Sequence, residues 1–137
     1  VTAKLMGTVR AVLFGGIMAG KFVISLTRAK DDADRATVAF VVANAAVAGD
    51  KDVVMFLSLE GVRLSQKGYA DDVHESGFAP LKELMTNFVN AGGKIYVCTP
   101  CLKKRNLDEN NLVPGAIMAG GAKVVEFMGE ACPSLSY

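Results

Sequence analysis

Residues 94–105 read KIYVCTPCLKKR, and the fold of the chain follows from this stretch. The run Lys94–Cys98 is short, apolar and contains β-branched and aromatic residues, which is typical of a buried strand. The Thr99-Pro100 pair that comes next predicts a helix start, with Thr99 as N-cap and Pro100 at the first helical position. A buried strand that passes directly into a helix is the repeating unit of a parallel α/β sheet.

The same alternation of apolar runs and amphipathic segments extends over the rest of the chain. It predicts strands at residues 22–27, 53–59, 94–98 and 123–128. It predicts helices from about 31–34 to 47 and at 78–89, 99–107 and 114–119, with an irregular tail at 129–137. Strands that are hydrophobic along their whole length belong to sheets covered on both faces. We therefore expect an α/β fold, a single doubly wound parallel sheet with helices on both faces, as in flavodoxin-like and Rossmann-like domains.

The length of 137 residues predicts one domain, residues 21–137, preceded by an N-terminal extension, residues 1–20. The extension is apolar and glycine-rich, is interrupted by Arg10, and is predicted to be helical. It lacks the small-residue cleavage pattern of a signal peptide and is too short for a membrane span. We expect it to pack on the domain or on a partner subunit, with contact to a membrane as the alternative. The polar connection 60–77 is long for a compact domain, which indicates a functional loop or a contact with a partner.

Composition narrows the class of function. Apolar residues make up 51% of the chain and charged residues 21%, a balance that indicates buried strands or surface buried in a homo-oligomer. The net charge of +1, without a basic face, argues against nucleic acid as a partner. Three cysteines are too few for a disulfide framework. A C-x-x-C pair points instead to a reducing compartment, so we expect a cytoplasmic protein.

Cys98 is the strongest candidate for chemistry. A thiol at the carboxyl end of a strand and beside a helix N-terminus meets free N–H groups and a positive dipole end, and both favour the thiolate. The cations at 103–105 add positive potential there or form a solvated helix face. If the strand order is second, first, third, fourth, ligands bind between the first and third strands. The loop 27–34 then faces residues 98–101.

Metal and cofactor sites have little support in the sequence. A single C-x-x-C supplies two ligands, whereas zinc takes three or four from the protein, and Cys132 and His74 are the other residues of the favoured type. Cys132 is expected to be tail packing or a spare thiol, and His74 an exposed loop residue or a proton donor on the substrate side. Neither G-x-G-x-x-G after the first strand nor a P-loop is present. We expect no cofactor and no metal.

Three stretches together resemble the DsrE/DsrF-like family, which includes the TusD type of sulfur-relay subunit. They are V-C-x-x-x-L-x-x-R-x-L-D-E at 97–109, the acidic helix start at 31–36 before an alanine- and valine-rich helix, and L-E-G-V at 59–62. The resemblance covers about residues 20–130 and implies a small doubly wound α/β domain of the DsrE type, assembled as a trimer or hexamer. It also implies that sulfane sulfur is carried as a persulfide on Cys98. The chain departs from the family pattern at Cys101, usually a small residue, and at Asn106, often glycine.

Three roles fit Cys101 beside such a carrier. It resolves a Cys98 persulfide by forming a disulfide, it acts as a second sulfur carrier, or it is a small buried hydrophobic residue. Thioredoxin-like chemistry fits the C-x-x-C pair less well, because no aromatic residue directly precedes the first cysteine and the motif comes late in the chain.

We therefore expect a sulfur carrier or sulfurtransferase of a cytoplasmic sulfur relay, with Cys98 and Cys101 as catalytic candidates. Its expected partners are sulfur donor and acceptor proteins or small sulfur compounds. The candidates for contact with the substrate are Thr99, Arg105, Thr27 and His74. The alternatives are a non-catalytic oligomeric binding or scaffold subunit, and a dithiol redox protein that uses both cysteines.

Overall fold

Within residues 20–137, a parallel sheet of five strands forms the centre of the fold. The computed structural model describes residues 20–137. The strands are β1 (Lys21–Leu26), β2 (Asp52–Leu57), β3 (Lys94–Cys98), β4 (Ala116–Ala119) and β5 (Ser134–Ser136). The helices are α1 (Ala33–Ala48), α2 (Leu81–Asn90), α3 (Thr99–Lys104) and α4 (Gly121–Met128), and short 3₁₀ segments cover Lys30–Asp32 and Leu59–Ser65. Apart from Gly20, the predicted N-terminal extension lies outside the described residues.

The direction of the chain connections explains why both faces of the sheet are covered. The strands follow the order β4-β3-β2-β1-β5, and every neighbouring pair is parallel. From β1 to β4 each connection steps in the same direction, so right-handed crossovers put α1 and α2 on one face, where they pack together. The connection from β4 to β5 runs back across the sheet, and α4 therefore covers the other face. The predicted doubly wound α/β fold is confirmed.

The strand order assumed from the sequence is wrong. β2 lies between β1 and β3, so the loop that follows β1 is separated by a whole strand from the loop that follows β3. Alternation of strands and helices predicts parallel pairing, but it contains no information on which strands are neighbours. The residues that flank the end of β3 come instead from the loop after β2.

Between residues 114 and 128 the predicted helix and the predicted strand exchange places. β4 lies where a helix was predicted, and α4 lies where a strand was predicted. Val124, Phe127 and Met128 pack on the sheet, whereas Val125 is 67% exposed. This spacing of three and four residues is helical periodicity, which a short apolar run conceals.

The C-terminal tail contains a strand that the sequence did not indicate. Ser134–Ser136 form β5 and pair with β1, although the tail was predicted to be irregular. All residues of β5 are exposed. A short edge strand that buries nothing lacks the apolar pattern by which strands are recognised.

In the described part of the chain, two apolar cores hold the helices to the sheet. On the side of α1 and α2 the residues Ile24, Leu57 and Phe40 are fully buried, and the ring of Phe88 meets that of Phe40 edge-on at a centroid distance of 5.9 Å. On the other side, Phe127 and neighbouring side chains of α4 pack against a smaller core. Residues of β1, β2, β3 and β4 contribute to this core. No helix within residues 20–137 is long and apolar enough to cross a membrane.

The carboxyl edge of the sheet is where the candidate cysteines lie. Leu26, Leu57 and Val97 are at the same level of β1, β2 and β3, so these strands end close together. The segment Leu59–Ser65 lies directly over this edge and contacts α3 and β3. A Cβ atom on Gly61 would be 2.2 Å from the main-chain oxygen of Leu26. Glycine is required there because no other residue allows the two backbones to approach so closely.

Candidate thiol site

Cys98 lies at the junction of β3 and α3. It is the last residue of the strand and the N-cap of the helix, with φ −62° and ψ 112°. The predicted strand bounds are confirmed, but the prediction that Thr99 is the N-cap is wrong by one residue, and Pro100 therefore takes the second helical position. α3 is also shorter than predicted, because Asn106 adopts a left-handed φ of 54° and ends it.

The side chains of Cys98 and Cys101 are neighbours across the first turn of α3. An N-cap residue and the residue at the third helical position face each other, as in a capping box. In agreement with this spacing, both the main-chain N–H and the thiol of Cys101 act on the Cys98 sulfur. Both cysteines are half-buried and are free thiols. The structure thus brings together the two residues that were predicted to react.

The environment of Cys98 does not favour the thiolate as strongly as the sequence suggested. Burial raises the pKa of Cys98 above its ordinary value, and the hydrogen-bonding thiol of Cys101 raises it further. The Cys101 N–H and the charge of Arg105 act in the opposite direction, but the net pKa is raised. The expectation of an unusually acidic thiol was therefore wrong. A helix as short as α3 offers a weak dipole, and desolvation of the charged sulfur outweighs it.

The partly buried guanidinium of Arg105 holds the backbone of the first turn of α3. Arg105 donates from Nη1 to the main-chain oxygen of Cys101 (3.2 Å) and from Nε to Oε2 of Glu60 (2.6 Å). The other carboxylate oxygen of Glu60 accepts from Nε of Arg63 at 2.7 Å. The side chain of Arg105 is 15% exposed, so its charge is neutralised by Glu60 in a partly desolvated setting. We call Glu60, Arg63 and Arg105 the arginine clamp.

Arg105 was expected to contact the substrate, but in the structure its guanidinium is engaged in the arginine clamp. Its hydrogen bonds go to Glu60 and to the backbone of the C-x-x-C turn, so its evident role is to position Cys101. The hydrogen bonds from Arg105 and, next, from Arg63 lower the pKa of Glu60. Glu60 was not predicted as a site residue. Its one signal was its place in the L-E-G-V stretch, which by itself indicates no partner.

The remaining candidates lie at different distances from the two cysteines. Thr99 is half-buried at the first position of α3. Thr27 follows β1, two strands away from β3, and its hydroxyl donates to the main-chain oxygen of Tyr137 at 3.0 Å. His74 is exposed, and its Nε2 is 2.8 Å from the main-chain oxygen of Phe78. No hydrogen bond within the described part of the chain links Thr27 or His74 to Cys98.

The long loop between the Leu59–Ser65 segment and α2 packs on the domain itself. Lys30, in the loop after β1, forms an ion pair with Asp72 at 2.8 Å and lies 4.6 Å from the centre of the Tyr69 ring. A cavity of about 460 Å³ lies between this loop and α2, and its lining includes neither cysteine. Among residues 20–137, no group of three or more His, Cys, Asp or Glu side chains is arranged to hold a metal ion.

Comparison with protein families finds one that spans most of the domain. The sequence model of the DsrE/DsrF-like family matches residues 20–133. The match includes strands β1 to β4, helices α1 to α4, and both Cys98 and Cys101.

Three archaeal proteins are similar in sequence. "Uncharacterized protein MJ0989" of Methanocaldococcus jannaschii is 31% identical over 111 residues, which are 81% of this chain and 94% of that protein. "Uncharacterized protein MJ0760" of the same organism is 29% identical over 109 residues, 80% of this chain but 39% of that protein. The chain thus spans about two fifths of the length of MJ0760. "Uncharacterized protein MK0008" of Methanopyrus kandleri is 29% identical over 98 residues, 72% of this chain and 78% of that protein.

Solved structures with the same fold are distant in sequence. The ychN protein from E. coli superposes with a TM-score of 0.64 at 11% identity, over 88% of this chain and 100% of that one. MTH1491 from Methanobacterium thermoautotrophicum superposes with a TM-score of 0.60 at 15% identity, over 86% of this chain and 99% of that one. BT1422 from Bacteroides thetaiotaomicron superposes with a TM-score of 0.61 at 18% identity, over 85% of this chain and 94% of that one. These likenesses establish the fold.

Proposed function

This chain belongs to the DsrE/DsrF-like family, and from that premise we propose that it is a sulfur carrier. Family membership supports a role of the sulfur-relay type. The finer proposal is that Cys98 holds sulfane sulfur as a persulfide and passes it to an acceptor thiol. The observation that carries it is the position of Cys98, a half-buried free thiol at the end of β3 and the N-cap of α3.

Two displacements describe the carrier cycle. The Cys98 thiolate attacks the outer sulfur of a donor persulfide, a new sulfur–sulfur bond forms, and the donor leaves as a thiolate. An acceptor thiolate then attacks the outer sulfur on Cys98, becomes the new persulfide, and releases Cys98 as a thiolate. The Cys101 N–H and the charge of Arg105 both favour the anionic sulfur. They act when Cys98 attacks and again when it leaves.

A dithiol redox protein is the second candidate, and the contact between the two thiols favours it. In that case Cys98 and Cys101 cycle between the dithiol and a disulfide without a sulfur adduct. A non-catalytic scaffold subunit is the third candidate, for which the thiols are incidental. Sulfur loading separates all three.

The partners and the setting of the chain belong to the same proposal. We place it in a reducing compartment, the cytoplasm, because its three cysteines are free thiols. Donor and acceptor are sulfur-transfer proteins or small sulfur compounds. A homo-oligomer, a trimer or hexamer, agrees with the exposed apolar side chains of Ile117 and Val125. Sedimentation at micromolar concentration checks this, and a monomer would contradict it.

Mass spectrometry of the full chain after exposure to polysulfide, thiosulfate or tetrathionate tests the carrier role. We expect a gain of sulfur on the peptide of Cys98, sensitive to reductant. The gain disappears in Cys98→Ser and persists in the matched control Cys132→Ser, because Cys132 lies before β5, away from the junction.

Three results would count against the assignment. If no donor adds sulfur to any cysteine, the sulfur-carrier role is wrong, and the dithiol redox protein and the scaffold subunit remain. If Cys98→Ser still gains sulfur and Cys101→Ser does not, the carrier is Cys101. A disulfide that forms without any prior gain of sulfur identifies the dithiol redox protein.

A further inference from the structure

The geometry of the β3–α3 junction points to Cys101 as the group that releases sulfur from a loaded Cys98. The thiolate of Cys101 attacks the inner sulfur of the Cys98 persulfide, forms a disulfide between residues 98 and 101, and expels the carried sulfur as hydrosulfide. This inference rests on the proposed function, because the step begins from a persulfide on Cys98.

The position of Cys101 selects the inner sulfur as the atom attacked. Loading adds a sulfur beyond Cys98, and the original Cys98 sulfur becomes the inner atom of the persulfide. That sulfur is the one on which the Cys101 thiol and N–H act. Neighbouring side chains one helical turn apart have Cβ atoms about 5–6 Å from each other. A disulfide needs about 3.5–4.5 Å, so a small change in the first turn of α3 closes the bond.

The attacking group is also held in place. Pro100, between the two cysteines, fixes one backbone torsion of the turn. Arg105 binds the main-chain oxygen of Cys101 at 3.2 Å and is itself bound by Glu60. A nucleophile fixed beside its target reacts as if it were highly concentrated. The internal thiol therefore competes well with any thiol that must arrive from solution.

Transfer of the outer sulfur to another thiol and attack of Cys101 on the inner sulfur expel different leaving groups. This difference also favours release through Cys101. Transfer of the outer sulfur to another thiol requires Cys98 to leave as a thiolate. The raised pKa of Cys98 makes it a poorer leaving group. Attack on the inner sulfur leaves Cys98 bonded and expels hydrosulfide instead. The environment that makes Cys98 a poor leaving group thus favours release through Cys101.

The step balances without a further reactant. The bond between the two persulfide sulfurs breaks, the bond between the Cys98 and Cys101 sulfurs forms, and the proton of Cys101 goes to solvent. The sulfane sulfur gains two electrons and leaves as hydrosulfide, while the two cysteines are oxidised to a disulfide. A dithiol or small-thiol reductant of the compartment then reduces the disulfide and restores both thiols.

A single-turnover experiment tests this role. The full chain is reduced, loaded with one equivalent of polysulfide sulfur, separated from excess donor and incubated without reductant. We expect the wild type to release one hydrosulfide per loaded chain and to end as a 98–101 disulfide. In Cys101→Ser and Cys101→Ala the persulfide stays on Cys98, and hydrosulfide release is slower by at least ~10-fold. Cys132→Ser behaves as the wild type.

The two proposals fail in different ways. If wild type and Cys101→Ala both load and then keep their persulfide equally long, Cys101 is not the releasing group, and the carrier role still stands. If neither chain gains sulfur, the carrier role is wrong and the release step falls with it. Two variants at position 101, compared by circular dichroism before loading, separate loss of release from loss of fold.

Discussion

Two strand-to-helix junctions lie side by side at the carboxyl edge of the sheet. Cys98 at the end of β3 pairs in register with Ala119 at the end of β4, and both strands pass directly into helices. At the β4–α4 junction the N-cap is Gly120, which offers no side chain and has open space around it. At the β3–α3 junction the N-cap is a thiol, a second thiol faces it, and an ion-pair network lies beneath.

The difference shows where the chemistry of this edge comes from. Both junctions supply a helix N-terminus, so the helix N-terminus alone does not distinguish them. The distinguishing features are the half-buried dithiol, the arginine clamp and the Leu59–Ser65 segment that lies over β1 and β2 and presses on α3. Substitutions that remove these features one at a time measure what each contributes.

The largest effect is expected from Gly61→Ala. The added methyl group would be 2.2 Å from the main-chain oxygen of Leu26, and because the neighbouring atom is backbone, the Leu59–Ser65 segment must move. We expect the free energy of unfolding to fall by about 2–4 kcal/mol. Urea denaturation measures it.

Gly120→Ala is the matched control from the other junction. A Cβ atom at position 120 would meet nothing within 4 Å, and φ is −96°. We therefore expect the free energy of unfolding to fall by about 1 kcal/mol or less. Equal losses for the two glycines would show that the segment over the β1–β2 edge is not held as tightly as the backbone contact implies.

The next effect in size is expected from Glu60→Gln, which weakens the arginine clamp. Arg105 is 15% exposed and loses its charged partner, so we expect a loss of about 1–2 kcal/mol in the free energy of unfolding. Glu83→Gln is the control, since Glu83 is exposed on α2. If Cys101 releases sulfur as proposed, Glu60→Gln also slows release from a loaded chain, whereas loading of Cys98 is retained.

The clamp also predicts the pH dependence of stability. The pKa of Glu60 is lowered in the folded protein by its bonds to Arg105 and Arg63. Its contribution is therefore fully present above the unfolded pKa and is lost as the pH falls through the lower, folded pKa. Acid titration of unfolding should show a smaller loss for Glu60→Gln than for the wild type. Identical acid profiles for the two proteins would contradict the clamp.

A moderate effect on reactivity is expected from Cys101→Ala. The Cys101 thiol is one of the causes that raise the pKa of Cys98, while burial, the largest cause, remains in the variant. The pKa of Cys98 should fall, so more thiolate is present at neutral pH and alkylation of Cys98 should be faster by about two- to fivefold. Iodoacetamide labelling against pH, read on the Cys98 peptide, measures the midpoint. An unchanged midpoint would mean that the two thiols do not interact.

The two junctions also differ in how well the sequence predicted them. Lys94–Cys98 was predicted with its correct bounds, because a short apolar run with β-branched and aromatic residues stands between Gly93 and a proline-containing helix start. In the β4–α4 region the sequence predicted a helix in place of the strand and a strand in place of the helix. Ala116–Ala119 is a four-residue strand without β-branched enrichment beyond Ile117, and the helical spacing of Val124, Phe127 and Met128 was concealed by adjacent apolar residues.

The sequence predicted the part of the candidate site that depends on residues close together in the chain. Cys98 and Cys101 lie on one helical turn, so their proximity follows from their spacing. The hydrogen bond between Arg105 and Glu60 joins residues 45 positions apart. It depends on β2 being the neighbour of β3, which alternation of strands and helices does not reveal. The raised pKa of Cys98 likewise depends on burial by elements distant in sequence.

The smallest effect is expected at Leu59, the first residue of the segment over the sheet edge. Its φ is 51°, a left-handed conformation that is unfavourable for leucine, and its side chain is 52% exposed. Asparagine tolerates this conformation better, so Leu59→Asn should change the free energy of unfolding by less than about 1 kcal/mol and in the stabilising direction. Leu59→Ala keeps the backbone strain and removes the side chain, so it separates the two causes. If Leu59→Ala is less stable than the wild type, the exposed leucine side chain makes stabilising contacts, and if Leu59→Asn is no more stable than Leu59→Ala, the left-handed φ of residue 59 is not a source of strain.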